Sequence, residues 1–190
     1  ELSSSEKALL CSQAKSDTDA LIALNTAFSA NGLFLQVDKN NIIPMPLHII
    51  YVNSGNANIV TNTRSFINVQ ANAQATLIES FYNIGSAKVF SNFVSEKFVG
   101  ENAKLTCHTF QNEGALSYSV NTNQVKINKY SNYSNTTMTL SGELVRNNHN
   151  VVLADSNCEA HLNGLFISSG TQQIDNHTLI DHQMPHCESN

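Results

Sequence analysis

A short motif that recurs at nearly constant spacing limits the possible folds of this chain more than any other feature. Four segments align on an asparagine, and the successive steps between these asparagines are 30, 30 and 25 residues. The aligned residues are Asn72, Asn102, Asn132 and Asn157. After each of them, the first, third and fifth residues are mostly small or apolar, as expected for a strand with one buried face. A turn and a strand that repeat in this way predict coils stacked as a parallel β-helix.

The apolar pattern has a period of two from Leu33 onward, which indicates short strands. The runs that show it are LFLQV, PLHIIYV, SFINVQ, ATLIESF, KVFSNFVSEKFV, QVKINKY, NVVLA and LNGLFIS. GNANIVT looks like the same unit on another edge of the coil, with Ala57, Ile59 and Thr61 facing inward. These runs predict a mainly β fold, with the parallel β-helix occupying residues 33–190.

Residues 1–32 differ from the rest because their apolar residues have helical spacing. We expect helices at about 4–14 and 18–30. The residues that share one apolar face of the second helix are Leu21, Leu24, Ala27 and Phe28. Because the terminal coils of a solenoid expose unpaired backbone edges, we expect this short helical segment to cap one end of the β-helix.

The second helix has candidate signals at both ends. Asp17 or Thr18 is suited to cap its start, and Gly32 fits the position after its end, where a positive φ is needed. The chain begins with Glu1 and stops at CESN, so we expect it to be cut from a longer protein. An uncapped last coil would favour a dimer formed through the β-helix.

The composition excludes several classes of function. Only 13 % of residues are charged and the net charge is −5, so bulk electrostatics favour neither nucleic acid nor an anionic membrane as a partner. No apolar run approaches the roughly 20 residues that span a bilayer. Asparagine occurs 26 times, which suits the stacked amide ladders that form when equivalent positions repeat one above another.

The four cysteines are widely spaced, unlike those of a small disulfide-rich scaffold. They are Cys11, Cys107, Cys158 and Cys187. We interpret them as reduced thiols of a cytoplasmic protein, mostly buried as small apolar side chains.

The stretch DNHTLIDHQMPHC, residues 175–187, combines imidazole and thiol groups, which are common ligands of zinc, iron and copper. The candidate metal ligands, including two from about one coil earlier, are Cys158, His161, His182, His186 and Cys187. A turn at Pro185 would separate the last two histidines. The spacings do not match a compact structural zinc site, so hydrogen bonding between neighbouring coils is the alternative role.

Several segments resemble the SufB/SufD family of iron–sulfur cluster assembly proteins. ALNTAFSANGLFLQV and PLHIIYV are similar to its first segment, and INVQANAQATLIESF and VGENAKL to its first coils. Residues 140–190 are the most similar, with Arg-Asn, Leu-Asn-Gly-Leu, Gln-x-x-Asp-x-x-Thr and His-x-x-Pro-His in order. The resemblance covers about 20–190 and is greater to the SufD branch.

The resemblance implies a right-handed parallel β-helix in a scaffold subunit, not an enzyme, that works with SufB, or a second SufD copy, and the ATPase SufC. It implies support of cluster formation and of the admission of iron, with an iron–sulfur cluster held transiently by the full complex. No tightly bound cofactor is expected in residues 1–190. The resemblance also implies that the chain is cut before the C-terminal helical segment of the family and before its cluster-nucleating residues. Both would fall after Asn190, so no cluster-nucleating residue is assigned here.

Two other functions remain open at this point. Many β-helices are polysaccharide-active enzymes, which need clustered carboxylates for calcium and a basic residue. Here Arg64 and Arg146 are the only arginines, and no compact row of acids is evident. The second alternative is a self-standing metal-binding protein built on the histidines and cysteines near the end of the chain.

Overall fold

Each strand of this protein pairs in parallel with the strand two places along the chain. The structure is a computed structural model that describes residues 9–17 and 19–190. A helix over Ala20–Phe28, α1, precedes the strands. The strands are β1 (Asn31–Val37), β2 (Leu47–Ser54), β3 (Ile59–Val69), β4 (Gln74–Ile84), β5 (Val89–Val99), β6 (Lys104–Asn112), β7 (Ser117–Ile127), β8 (Asn132–Ser141), β9 (Leu144–Leu153), β10 (Glu159–Phe166), β11 (Gln173–His182) and β12 (Glu188–Ser189).

Two six-stranded sheets form the walls of the molecule. The odd-numbered strands make one sheet, in the order β1-β3-β5-β7-β9-β11, and the even-numbered strands make the other. Each coil therefore contributes one strand to each sheet, and about five turns stack into a solenoid. The predicted parallel β-helix is confirmed.

The corner that leads from each odd strand to the next even strand contains one residue with a left-handed backbone. These residues are Asn40, Asn72, Asn102, Tyr130, Asn157 and His186. Asparagine tolerates positive φ better than most residues, which explains its recurrence here. The amides also stack as predicted, since Asn72 Nδ2 donates to Asn40 Oδ1 and Asn102 Nδ2 to Asn72 Oδ1, both at 2.9 Å.

The alignment of the third repeat is corrected by two residues. Tyr130, not Asn132, takes the left-handed position, and the pairing Lys104↔Asn132 follows from it. The shift is an even number, so the inward side chains were still identified correctly. Tyr133 is fully buried, as are the equivalent Leu105 and Ala160.

The opposite corner carries a glycine with positive φ in every coil. These glycines are Gly55, Gly85, Gly114, Gly142 and Gly170. At Gly85, φ is 128°, and a Cβ atom would come within 2.2 Å of the Gly55 carbonyl oxygen on the preceding coil. Only glycine fits there, because neither the backbone conformation nor the space admits a side chain.

The apolar core lies beside the asparagine corner. It runs through all coils, and its largest members are Ile67, Leu77, Leu105, Ile127, Tyr133 and Leu153. The segment GNANIVT was predicted to face inward as a unit, and this is only partly correct. Ile59 and Thr61 are half-buried, but Ala57 is exposed because it lies in the turn before β3.

Helix α1 packs on the outer face of β3 and β5, not across the open end of the solenoid as predicted. Asp19 caps its start by accepting from the backbone N–H groups of Leu21 and Ile22, so Asp17 does not have this role. The other candidate, Thr18, lies outside the described residues. The buried residues are Ile22 and Asn25, and the predicted apolar face is wrong, since Phe28 is exposed.

Asn25 explains this orientation of the helix. Its Nδ2 donates to the backbone carbonyls of Thr63 and Asn92, at 3.0 and 2.9 Å. Two hydrogen bonds to strand backbone thus turn a polar residue inward. Gly32 does not have a positive φ; it lies within β1, where a Cβ atom would come within 2.2 Å of the Arg64 carbonyl oxygen.

The segment before α1 is held by a buried ion pair on the same outer face. Glu96 binds Arg64 at 2.9 Å and accepts from the backbone N–H groups of Cys11, Gln13 and Ala14. The predicted helix at 4–14 lies partly outside the described residues, and residues 10–14 form turns and bends. Within the described ranges, no helix has the length and apolar character needed to cross a membrane.

Candidate functional site

The interior of the β-helix is polar in the half that lies away from the asparagine corner. Strands β4 to β9 direct charged and amide side chains into this space. The buried members are Glu79, Lys97, Thr109, Gln111, Asn121, Asn123, Asn135, Thr137, Thr139, Asn147 and His149. Buried polar groups are costly unless they bond to one another, so their contacts determine what this region can do.

A buried ion pair begins the polar region. Lys97 Nζ lies 3.0 Å from Glu79 Oε2 and donates to Asn123 Oδ1 at 2.8 Å. Burial acts to lower the pKa of Lys97, but the carboxylate of Glu79 acts in the opposite direction and the pKa is raised overall. The ammonium group is therefore charged at neutral pH, deep inside the solenoid.

The thiol of Cys107 lies in the same region and is unreactive at neutral pH. Burial raises its pKa to about 12, and the nearby charge of Lys97 only partly opposes this effect. The thiolate, which is the nucleophile and metal ligand, is therefore scarce. Burial also raises the pKa of Tyr133, whose ring is fully buried next to this thiol.

His149 faces a small cavity further along the interior. Its Nε2 is 3.3 Å from Thr137 Oγ1, and its buried Nδ1 has no hydrogen-bond partner among the described residues. Burial, with a smaller effect of Lys97, lowers the pKa of His149 to about 4, so the ring is neutral at pH 7. The cavity has a volume of about 100 Å³ and is lined by Asn135, Thr137, His149, Leu162, Asn163, Gly164, Asn176 and Thr178.

Amide side chains connect the coils beside this cavity. Asn121 Nδ2 donates to Asn147 Oδ1 at 3.2 Å, and Asn147 Nδ2 donates to Asn176 Oδ1 at 2.9 Å. Gln111 joins the same group through Asn147 and Thr139. Asn147 points into the interior, whereas its neighbour Arg146 binds Asp175 on the outer face.

The structure brings two of the five candidate metal ligands together. Cys158 and Cys187 occupy equivalent corner positions of successive coils, and both sulfur atoms donate to the backbone carbonyl of Asp155, at 3.0 and 3.1 Å. Burial, and secondarily the neighbouring Cys187, raises the pKa of Cys158.

The three candidate histidines lie elsewhere. His161 Nδ1 is 2.7 Å from Asn190 Oδ1, and His182 Nε2 is 3.0 Å from Ser189 Oγ. His186 is the left-handed corner residue, and the predicted turn at Pro185 separates it from His182. These contacts are hydrogen bonds between neighbouring segments of the last coils, and a metal role for the five residues stays a prediction.

Across residues 9–17 and 19–190, no group of three or more His, Cys, Asp or Glu side chains is placed to hold a metal ion. Both arginines are also engaged, Arg64 with Glu96 and Arg146 with Asp175. A calcium-dependent polysaccharide site therefore has neither a cluster of carboxylates nor a free arginine in the described part of the chain.

The sequence patterns missed the interior polar residues. Lys97 was read only as part of a strand, although it alternates with the inward residues Phe93, Ser95 and Val99. A charged residue on the buried face of an apolar strand was the available signal, and its partner Glu79 shows the same pattern in β4.

Comparison with known proteins gives a consistent result. The sequence profile described as "SUF system FeS cluster assembly, SufBD core domain" matches residues 51–190. The iron-sulfur cluster assembly SufBD family protein of Synechocystis is 27% identical over 176 residues, which are 88% of this chain and 39% of that protein. The iron-sulfur cluster assembly protein SufD of Bacillus subtilis is 31% identical over 117 residues, 60% of this chain and 26% of that protein. The chain thus spans less than half the length of either relative.

Proposed function

Because the chain belongs to the SufBD core-domain family of the SUF iron–sulfur cluster assembly system, we propose that it is a scaffold subunit of a cluster assembly complex. The match of the family profile to residues 51–190 carries this proposal, since these residues include nearly all of the solenoid. We propose further that its partners are a SufB subunit, or a second SufD-like copy, and the ATPase SufC.

The chemistry of the interior supports a structural role over conventional turnover. At pH 7 the Cys107 thiol is protonated and the His149 ring is neutral. The interior therefore offers neither a nucleophilic thiolate nor an imidazolium that could donate a proton. Lys97 is fully paired with Glu79 and Asn123. An interior in which most polar groups are bonded holds the coils in one register, which suits a rigid support for partner subunits.

The iron–sulfur cluster is cargo in this proposal. The protein supports cluster formation and the admission of iron in the cytoplasm, and it releases the cluster without retaining it as a cofactor. ATP hydrolysis belongs to SufC. The mechanical requirement on this chain is then a stable β-helix with an end or face on which another subunit is placed.

Co-purification tests the proposal. The full-length natural protein, carrying an affinity tag, is co-expressed with SufB and SufC under reducing and anaerobic conditions. We expect all three proteins to elute together in a constant ratio from a sizing column. Expression with SufB alone and with SufC alone identifies the direct contact. A tagged protein that shows the far-ultraviolet circular dichroism of β structure but retains neither partner would overturn the assignment.

A further inference from the structure

Cys158 and Cys187 form a two-thiol pair that the scaffold function does not use. Each directly follows a left-handed corner residue, Asn157 in one coil and His186 in the next. Glu159 and Glu188, which come next, are paired in the parallel register of β10 and β12. The two cysteines therefore stack at the same position of successive coils.

Backbone geometry places the pair within reach of a covalent bond. The Glu188 N–H donates to the Cys158 carbonyl at 2.9 Å, which sets the separation of the two backbone segments at this corner. Neighbouring strands lie about 4.8 Å apart. Disulfide-bonded cysteines have Cα atoms about 4.4–6.8 Å apart, so the spacing of stacked coils falls inside the permitted range.

The side chains converge as well as the backbones. Both sulfur atoms contact one oxygen, the carbonyl of Asp155, at 3.0 and 3.1 Å. Cys158 is 1% exposed, whereas Cys187 is partly exposed. One thiol is thus open to a reagent from solvent, and the other lies directly behind it.

We propose that Cys158 and Cys187 are a redox modification site, which oxidises to a reversible disulfide linking the last two coils. The oxidant is a low-molecular-weight disulfide. The Cys187 thiolate attacks one of its sulfur atoms, which forms a mixed disulfide and releases one small thiol. Cys158 then attacks the Cys187 sulfur and releases the second. Two electrons and two protons leave the protein, and one small disulfide becomes two thiols.

The bond would act on the shortest strand of the described fold. Strand β12 has two residues, and it pairs only with Glu159 and Ala160 of β10. A disulfide closes the chain between residues 158 and 187 into a loop that contains β11, and so restricts the separation of β12 from β10. This inference does not depend on the family role, because it uses only the stacking of the two cysteines.

Peptide mass mapping tests the proposal on the 190-residue chain. The last lysine or arginine is Arg146, so trypsin yields a peptide of residues 147–190 that contains Cys158 and Cys187 and no other cysteine. The protein is equilibrated in glutathione buffers of increasing oxidising strength, and free thiols are then blocked. We expect the peptide to become lighter by two hydrogen atoms and to lose both blocking groups together. Cleavage after Glu159 should leave two peptides joined by a reducible bond.

Internal controls and engineered variants show which results would contradict the proposal. Cys11 and Cys107 fall in separate tryptic peptides and report non-specific oxidation. In urea, the equilibrium constant for the bridge should fall at least about tenfold, because the folded coils hold the thiols together. In Cys158→Ser, Cys187 should stop at the glutathione adduct. Three results would each overturn the proposal. The first is that both thiols of 147–190 are still free to be blocked after Cys11 has been oxidised. The second is a disulfide between two protein molecules, and the third is a glutathione adduct on Cys187 beside a free Cys158 in the unmodified sequence.

A matched variant tests the corner geometry itself. Ser131 holds the same corner position one coil earlier, since Asn132 pairs with Glu159. Ser131→Cys combined with Cys187→Ser moves the dithiol by one coil without changing the number of cysteines. We expect the introduced thiol of that variant to form a disulfide with Cys158 under the same buffers; failure of this bridge in a folded variant would contradict the stacking argument.

Discussion

Lys97 and Glu79 carry opposite charges in the interior of the solenoid. Their side chains are 1% and 2% exposed, and Asn123 completes the contacts of the ammonium group. Such a pair contributes little net stability over an apolar substitute, because both charges lose water on folding. Removal of one partner, in contrast, destabilises the protein, since it leaves the other charge buried and unpaired.

Lys97→Met is therefore expected to destabilise the protein by about 3–5 kcal/mol, the range measured for broken buried ion pairs. The measurement is the free energy of unfolding from urea titration followed by circular dichroism. Lys104→Met is the matched control, because Lys104 is exposed on the neighbouring strand β6 and its loss should change stability by less than about 0.5 kcal/mol. Glu79→Gln added to Lys97→Met should restore part of the loss. Equal effects of the two lysine variants would refute the buried pair.

His149 gives stability a pH dependence whose sign follows from its pKa. The folded pKa is about 4 and the ordinary value is 6.5, so the unfolded chain binds the proton more readily between these limits. The contribution of His149 is complete above pH 6.5 and is lost as the pH falls towards 4, by up to about 3 kcal/mol. Lys97 is the charged group that adds to this effect of burial.

We expect His149→Gln to lose less stability than the natural protein between pH 7 and pH 4.5, since glutamine is neutral throughout. Urea titrations of both proteins at several pH values measure the difference. His177→Gln is the control, because it makes the same change of side chain at an exposed position on the outward face of β11. Parallel profiles for His149→Gln and the natural protein would show that folding does not lower the pKa of His149.

At the scale of the element, the corner residues set how the strands are joined. Tyr130 has a φ of 58°, a conformation that costs a residue other than glycine, asparagine or aspartate about 1–2 kcal/mol. Its ring is 55% exposed, and Lys129 lies over it at 5.1 Å from the centroid. An exposed contact of that kind offsets only part of the backbone cost.

Tyr130→Asn should accordingly stabilise the protein by about 0.5–1 kcal/mol, because asparagine takes the left-handed conformation more readily. Differential scanning calorimetry should record a higher melting temperature. Tyr130→Ala keeps the unfavourable φ and loses the ring contact, so it should not be more stable than the natural protein. A lower melting temperature for Tyr130→Asn than for Tyr130→Ala would show that the ring contact, not the backbone, governs this corner.

Strand parity made the coil interior predictable from the sequence, and equal spacing made the stacking predictable. Both survive small alignment errors, which is why the shift from Asn132 to Tyr130 left Tyr133 on the buried face. The glycine corner was predictable in the same way, although it was not predicted, because Gly55, Gly85 and Gly114 recur with nearly the same step as the asparagines.

Long-range polar contacts were not predictable in this way. The orientation of α1 is set by hydrogen bonds of Asn25 to strands that come 38 and 67 residues later. Apolar periodicity does not contain this information, so the wrong face of the helix was predicted to be buried. The pairing of Lys97 with Glu79 and the convergence of Cys158 with Cys187 likewise depend on which coils stack in register.

At the scale of the whole molecule, stability comes from contacts between neighbouring coils, and the terminal coils have a neighbour on one side only. At the C-terminal end of the described chain, β12 covers only the first two residues of β10. Three large apolar residues, the last two of β10 and the one that follows it, are 51–61% exposed: Leu165, Phe166 and Ile167. An edge with unpaired backbone groups and exposed apolar side chains favours pairing with another chain.

We therefore expect the 190-residue chain to self-associate through this end. Sedimentation velocity over a wide concentration range should show a reversible monomer–dimer equilibrium. Phe166→Lys should weaken the association at least about tenfold, because a lysine on an exposed edge must be desolvated for the edges to pair. Val60→Lys is the control, since Val60 is 63% exposed but lies on β3, in an early coil of the solenoid. A chain that stays monomeric at all concentrations, or that Val60→Lys affects as strongly as Phe166→Lys, would rule out this end as the contact.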